Sequence, residues 1–238
     1  AQARRHTELL QAVRARGAAR SGTYWQERYR DAAPPDANGA NKAETEPLRV
    51  LVASTRYSTF VASSAADIAQ GFRAAGCEAE LLIEPTPHDK LVTVSYLETL
   101  DRFDPDLLIF INYARAQLGD AAPPVCPSVC WVQDAMEHLF DPALGAAQGP
   151  MDFLVGHVYR ELFDKHGWDP RRAMQSVVLA SEAKFRPVDD GEVTRQERDR
   201  FACEIALVSN HGQTPDELAQ HIKPHFGGGI RGHADRPV

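Results

Sequence analysis

No stretch of this chain is apolar for long enough to span a bilayer, and its amino-terminal ARRHTELLQAVRARGAAR lacks the uninterrupted apolar core of a secretory signal. That argues against an integral membrane segment. Positive charge is scarce as well: 26 Lys and Arg face 33 Asp and Glu, a formal charge of −7. Proteins that neutralise nucleic-acid phosphate need a basic face, so nucleic acid is set aside as a partner. Cysteine is sparse, and Cys77, Cys126, Cys130 and Cys203 lie in or beside apolar runs without a CxxC pair. Reduced, buried thiols in a cytoplasmic protein are expected. A zinc site built on Cys126 and Cys130 would need two further ligands at matching spacing, and none is evident.

What is present suits one large domain with additions: 238 residues, 43% of them hydrophobic. Residues 1–30 carry helical periodicity, with Leu9, Leu10 and Val13 on one side and arginines elsewhere, and read as an appendage. Residues 31–47, including DAAPPDANGANKAETEP, read as a linker. From residue 48 to 185 short apolar runs alternate with helical patterns. LRVLVAST (48–55), AELLIE (79–84), DLLIFIN (106–112), PSVCWVQ (127–133), DFLVGH (152–157) and SVVLAS (176–181) are the expected strands. Between the first two, Ser64 and Asp67 fit a capping box and Gly76 a helix stop. Continuous rather than alternating apolar runs are the mark of strands covered on both faces, so the expected fold is α/β, a doubly wound, mainly parallel Rossmann-like sheet.

Ligands of such sheets bind outside the carboxyl ends of the strands, where loops gather and helix amino termini converge. The residues leaving those ends are Ser54, Arg56 and Tyr57; Asn112, Tyr113 and Arg115; Gln133, Asp134 and His138; His157; and Glu182. The familiar fingerprints are missing among them. The loop STRYSTFVASS has no glycine with which to admit a dinucleotide pyrophosphate, and the chain has no P-loop, no G-x-S-x-G elbow and no HExxH. Ser54 and Asn112 stand where a phosphoacceptor receiver domain would carry acids. A nucleotide or sugar site without a metal or cofactor, or no catalysis at all, is what remains.

The stretch QDAMEH (133–138) supports two readings. Asp134 with Glu137 fits an N-cap and capping box, worth about 1 kcal/mol. Alternatively Asp134 or His138, on one helix face, accepts a proton from a hydroxyl, with His157 as a second candidate base. Arg56 and Arg115 are candidate donors to a phosphate-bearing ligand. Ser54, Tyr57, Asn112, Tyr113, Gln133 and Glu182 complete the candidate substrate contacts. Trp131 reads as core.

After SEAKFRPVDDGE the chain becomes highly charged, then gives CEIALVSN (203–210) and a helix start at TPDEL. Residues 186–238 therefore read as an interdomain linker and the start of a second domain that is not completed. The order WVQD, FLVGH, a helix ending in HGW, SEAKFRP and CEIALVSN resembles the amino-terminal half of GT-B glycosyltransferases, in particular the bacterial group that includes the spore-maturation protein CgeB. The resemblance covers roughly residues 48–222. It implies metal-independent transfer of a sugar from a nucleotide-sugar donor to an acceptor hydroxyl, with the acceptor and the base on the amino-terminal domain and the donor on the carboxyl-terminal one. A non-catalytic α/β ligand-binding or protein-interaction module is the alternative.

Overall fold

Along the first strand, β1 (Arg49–Ala53), Val50 and Val52 point to one face and Leu51 and Ala53 to the other, and all four are buried. Four consecutive apolar residues in a period-two structure need apolar cover on both sides. The computed structural model, which describes residues 2–20, 22–32, 46–56, 58–86, 88–176, 181, 184, 191 and 193–201, supplies it. The described residues form a six-stranded sheet in the order β2-β1-β3-β4-β5-β6, every pairing parallel. The other strands are β2 (Glu78–Leu82), β3 (Leu107–Ile111), β4 (Ser128–Val132), β5 (Asp152–Gly156) and β6 (Ala173–Gln175). This is an α/β, Rossmann-like arrangement.

Val50, Val52, Ile109 and Ile111 pack on Ala65 and Ala69 of helix α3 (Thr59–Ala74). On the opposite face Leu51, Ala53, Leu108 and Phe110 meet Leu100 of α4 (Thr93–Phe103), together with Val13 of α1 (Gln2–Ala18) and Trp25 of α2 (Gly22–Ala32). The amino-terminal helices, which the sequence pattern set apart, thus bury side chains in the same cluster as the central strands. Farther along that face, Cys130, Val132 and Leu154 pack with Leu139, Leu144, Leu162 and Trp168. The helices here are α5 (Pro142–Ala146) and α6 (Arg160–Lys165). Full burial of each such aliphatic side chain contributes about 1.5–3 kcal/mol.

Charge fixes α1 and α2 in place. Arg28 donates to Asp106 at 2.8 Å, and Asp106, with no exposed side-chain surface, also accepts from the Arg49 amide at 2.9 Å. Asp104, left-handed at φ 46°, is shared by Arg16, Arg20 and Arg49. Burial pushes its carboxyl up, but the three guanidiniums outweigh that and hold it below the ordinary carboxylate value.

Two expectations need correction. Helix α3 is capped by Ser58, whose hydroxyl accepts from the Val61 amide at 3.3 Å, so Ser64 and Asp67 lie inside the helix rather than at its start. Asp67 pairs instead with Lys184 at 2.8 Å. The helix does stop at Gly76 (φ 85°): the Cys77 amide bonds the Phe72 carbonyl and the Gly76 amide that of Arg73, a Schellman closure. The sixth strand comes three residues early, at 173–175, because it is an edge strand with exposed residues such as Met174 and offers no apolar run to read. Of the expected 176–181, Ser176 still donates to the Gly156 carbonyl at 2.9 Å, and 177–180 lie outside the described residues.

The chain divides into two compact units, Ala1–Phe185 and Arg186–Val238. In the second, α7 (Arg195–Phe201) is preceded by a capping box in which Thr194 and Glu197 exchange hydrogen bonds. CEIALVSN and TPDEL lie outside the described residues. Among the described residues no helix is long and apolar enough to cross a membrane.

Candidate functional site

In the order 2-1-3 the chain leaves β1 toward one side of the sheet and β3 toward the other, so the exits of β1 and β3 diverge and open a crevice at the carboxyl edge. Its β1 wall is built on Glu84, two residues past β2. That carboxylate is 7% exposed and accepts from Thr55 Oγ1 at 3.1 Å and from the Arg56 amide at 2.8 Å. Arg56 Nε in turn donates to the Glu84 carbonyl, which anchors an otherwise exposed guanidinium at the rim. Glu84 ends the apolar run 79–84 and is absent from the candidate set above; an acid at the exit of a buried strand is the signal that marks it in the sequence. Tyr96 of α4 lies close enough to Glu84 and Tyr113 to feel both, and burial, then their charge, pushes its phenol above the ordinary value. Ser54 Oγ is sealed from solvent without a partner among the described residues.

The β3 wall is Asn112, left-handed at φ 58° and 4% exposed. Asparagine tolerates this conformation better than other residues with a side chain. Its Oδ1 accepts from the amides of Gln133 at 2.7 Å and Asp134 at 3.2 Å, and its Nδ2 donates to Asp134 Oδ2 at 3.1 Å. Its carbonyl lies 2.7 Å from His138 Nε2. A carbonyl only accepts, which assigns the imidazole proton to Nε2. The His138 ring stacks on Tyr113 with centroids 4.8 Å apart and planes 24° apart. One buried residue therefore ties the exits of β3 and β4 together, its side-chain amide holding Asp134 and its main-chain carbonyl His138.

The capping-box reading of Asp134 and Glu137 is overturned by this geometry. The turn over Glu137–Phe140 is a 3-10 helix preceded by Met136 with no side-chain cap, and the cap lies farther on, where Asp141 accepts from the Ala143 amide at 2.9 Å ahead of Pro142. Residues 134 and 138 thus share no helix face. What brings them together is Asn112, 22 residues upstream of Asp134. Gln133 Oε1 is, like Ser54 Oγ, sealed and unpartnered among the described residues.

Val132 and Gly156 are register partners in β4 and β5, so Asp134 and His157 leave the sheet at the same edge. Gly156 has φ 116°, and a Cβ there would sit 2.4 Å from the Val132 carbonyl oxygen. His157 is exposed; its amide donates to that carbonyl at 2.8 Å and its ring tilts against Tyr159. An open depression of about 480 Å³ lies beside the β4 exit, lined by Glu137, His138, Phe140 and Asp141.

Arg115 does not join the rim. Its guanidinium is 5% exposed, donates through Nε to Asp152 Oδ1 at 2.7 Å and through Nη1 to the Cys126 carbonyl at 2.6 Å, and so braces the starts of β4 and β5. A buried arginine needs a carboxylate, and Asp152 opens β5 at the opposite edge of the sheet. Tyr57 and Glu182 lie outside the described residues. Trp131 is half-buried against the Ile109 and Ile111 cluster. Burial pushes the thiols of Cys126 and Cys130 up to about 12. Among the described residues no group of three or more His, Cys, Asp or Glu side chains is arranged to hold a metal ion. Comparison with protein-family models, curated proteins and solved structures finds no match to this chain.

Proposed function

We propose that this chain carries the acceptor-binding half of a GT-B-type glycosyltransferase, which transfers a sugar from a nucleotide sugar to an acceptor hydroxyl without a metal. One observation carries the reading: at a single carboxyl edge, a carboxylate (Asp134) and an imidazole (His138) are held by the same buried Asn112 beside an open depression. In the reaction the acceptor oxygen bonds to the anomeric carbon, the bond from that carbon to the nucleoside diphosphate breaks, and the hydroxyl proton passes to the base. Tyr113, 42% exposed, offers a flat face to a sugar ring, and Arg56 a cation to a charged ligand. His157 stands on the same edge as a second candidate base. The donor belongs to a carboxyl-terminal domain, whose start the sequence pattern assigns to 186–238.

Calorimetric titration of this chain with a panel of nucleotide sugars should give little binding. Joined to a complete donor domain, the protein should release nucleoside diphosphate in an acceptor-dependent way, and Asp134→Asn or His138→Ala should lower kcat by about 10²-fold or more. Tight nucleotide-sugar binding by the chain alone, or unaltered turnover in both variants, would count against the reading. A non-catalytic α/β binding or interaction module is favoured by one feature, that Glu84 and Asn112 spend their polar atoms within the protein. That module would show no turnover even with the donor domain supplied.

A further inference from the structure

We infer that Asn112 is a positioning residue, not a substrate contact, and that it makes Nδ1 of His138 the base at this edge. Every polar atom of Asn112 has a protein partner: its amide donates to the Trp131 carbonyl at 2.9 Å, Oδ1 accepts two consecutive amides, Nδ2 holds Asp134, and the carbonyl holds His138. An amide 4% exposed, with one N–H of Nδ2 as its sole unspent donor, has almost no polar surface to offer a ligand. It can still set where two other groups stand. With Nε2 fixed as a donor, the lone pair of the neutral imidazole falls on Nδ1. Nδ1 has no protein partner among the described residues and is not sealed from solvent.

The groups around this ring are Tyr113, stacked on it; Asp134, held through Asn112; and Glu137 and Asp141, which share its depression. In the step itself the acceptor hydroxyl gives its proton to Nδ1 as its oxygen attacks, and Nε2–H continues to donate to the Asn112 carbonyl. That identity of the proton donor rests on the glycosyl-transfer reading. The arrangement of Asn112, Asp134 and His138 does not.

Long-range ¹H–¹⁵N correlation on the full chain tests the geometry directly. Above the histidine pKa, His138 should show the Nε2–H tautomer alone; the Nδ1–H form, or an averaged mixture, would overturn the inference. Asn112→Asp removes the amide donor to Asp134, so the ¹³C carboxyl resonance of Asp134, read at neutral pH, should move from its wild-type position. Should that variant fail to fold, Asn112→Gly accepts φ 58° and still deletes the donor, and the Asp134 carboxyl resonance should again move. An Asp134 carboxyl resonance unmoved in a folded variant would overturn the inference. With a donor domain joined, Asn112→Gly should lower kcat with little change in the KM for donor. If the NMR results hold and no transfer is found, the sugar-transfer reading falls while the positioning role stands.

Discussion

Replacing Arg115 by Met is the sharpest single perturbation of this fold. In sequence Arg115 sits four residues past β3 and looks like a solvated loop arginine whose loss would change stability by less than 0.5 kcal/mol. In the structure it is 5% exposed and its removal leaves Asp152, 16% exposed, without its counter-ion. Stripping one partner from a buried pair typically costs about 3–5 kcal/mol. Two donors remain to the carboxylate, Ser128 Oγ at 2.8 Å and the Gly149 amide at 2.9 Å, which puts the expected loss near the lower end, at about 3 kcal/mol. Against a total of about 5–15 kcal/mol that is a large fraction. Urea unfolding followed by circular dichroism should show the midpoint falling at constant slope. The double variant Arg115→Met/Asp152→Asn removes the stranded charge and keeps an acceptor for Ser128, and should recover half or more of the loss. A single variant losing less than about 1 kcal/mol would refute the buried pair, and a double variant no better than the single would refute stranded charge as the cause.

Two further outcomes follow from the geometry. The folded carboxyl of Asp104 titrates below its unfolded value, so its contribution to stability is complete above the unfolded carboxylate range, near pH 4, and disappears as pH falls through the depressed folded value. Asp104→Asn, which tolerates φ 46°, should therefore flatten the loss of stability measured by chemical denaturation below about pH 4, and an unchanged slope would rule out the three-arginine cluster as its origin. Gly156→Ala should destabilise by about 1–3 kcal/mol from backbone strain alone, with the clash on Val132 O added, whereas His157→Ala should change the melting temperature little. Equal melting temperatures for wild type and Gly156→Ala would show that the β5 exit does not have the described conformation.

The sheet was legible because its central strands are apolar on both faces. LRVLVAST and DLLIFIN cannot belong to a half-solvated sheet, and β1 and β3 fall inside those runs. The edge was not legible: β6 carries exposed Met174 and Gln175, and an edge strand leaves no mark in hydropathy. Capping motifs misled twice, at Ser64 with Asp67 and at Asp134 with Glu137. The spacing of a capping box is satisfied by chance in polar stretches, while the cap actually used is the residue whose backbone turns extended, Ser58 and Asp141. The carboxyl edge could be read as a set of positions but not as a network. Nothing in local sequence says that Asn112 reaches 22 residues ahead to Asp134, that Arg115 finds Asp152, or that Glu84 turns inward to hold Thr55 and Arg56. Those are pairings across parallel strands, fixed only once register is fixed.

The β5 exit has a bearing on how this protein can change over generations. Position 156 admits hydrogen and nothing larger, because neighbouring main chain fills the volume a methyl would take and main chain cannot swing aside. Position 157 opens on water. A lineage is thus free to trial new chemistry at the second of these two neighbours while the first stays invariant, and a family of descendants aligned on this segment should show one frozen column beside a variable one.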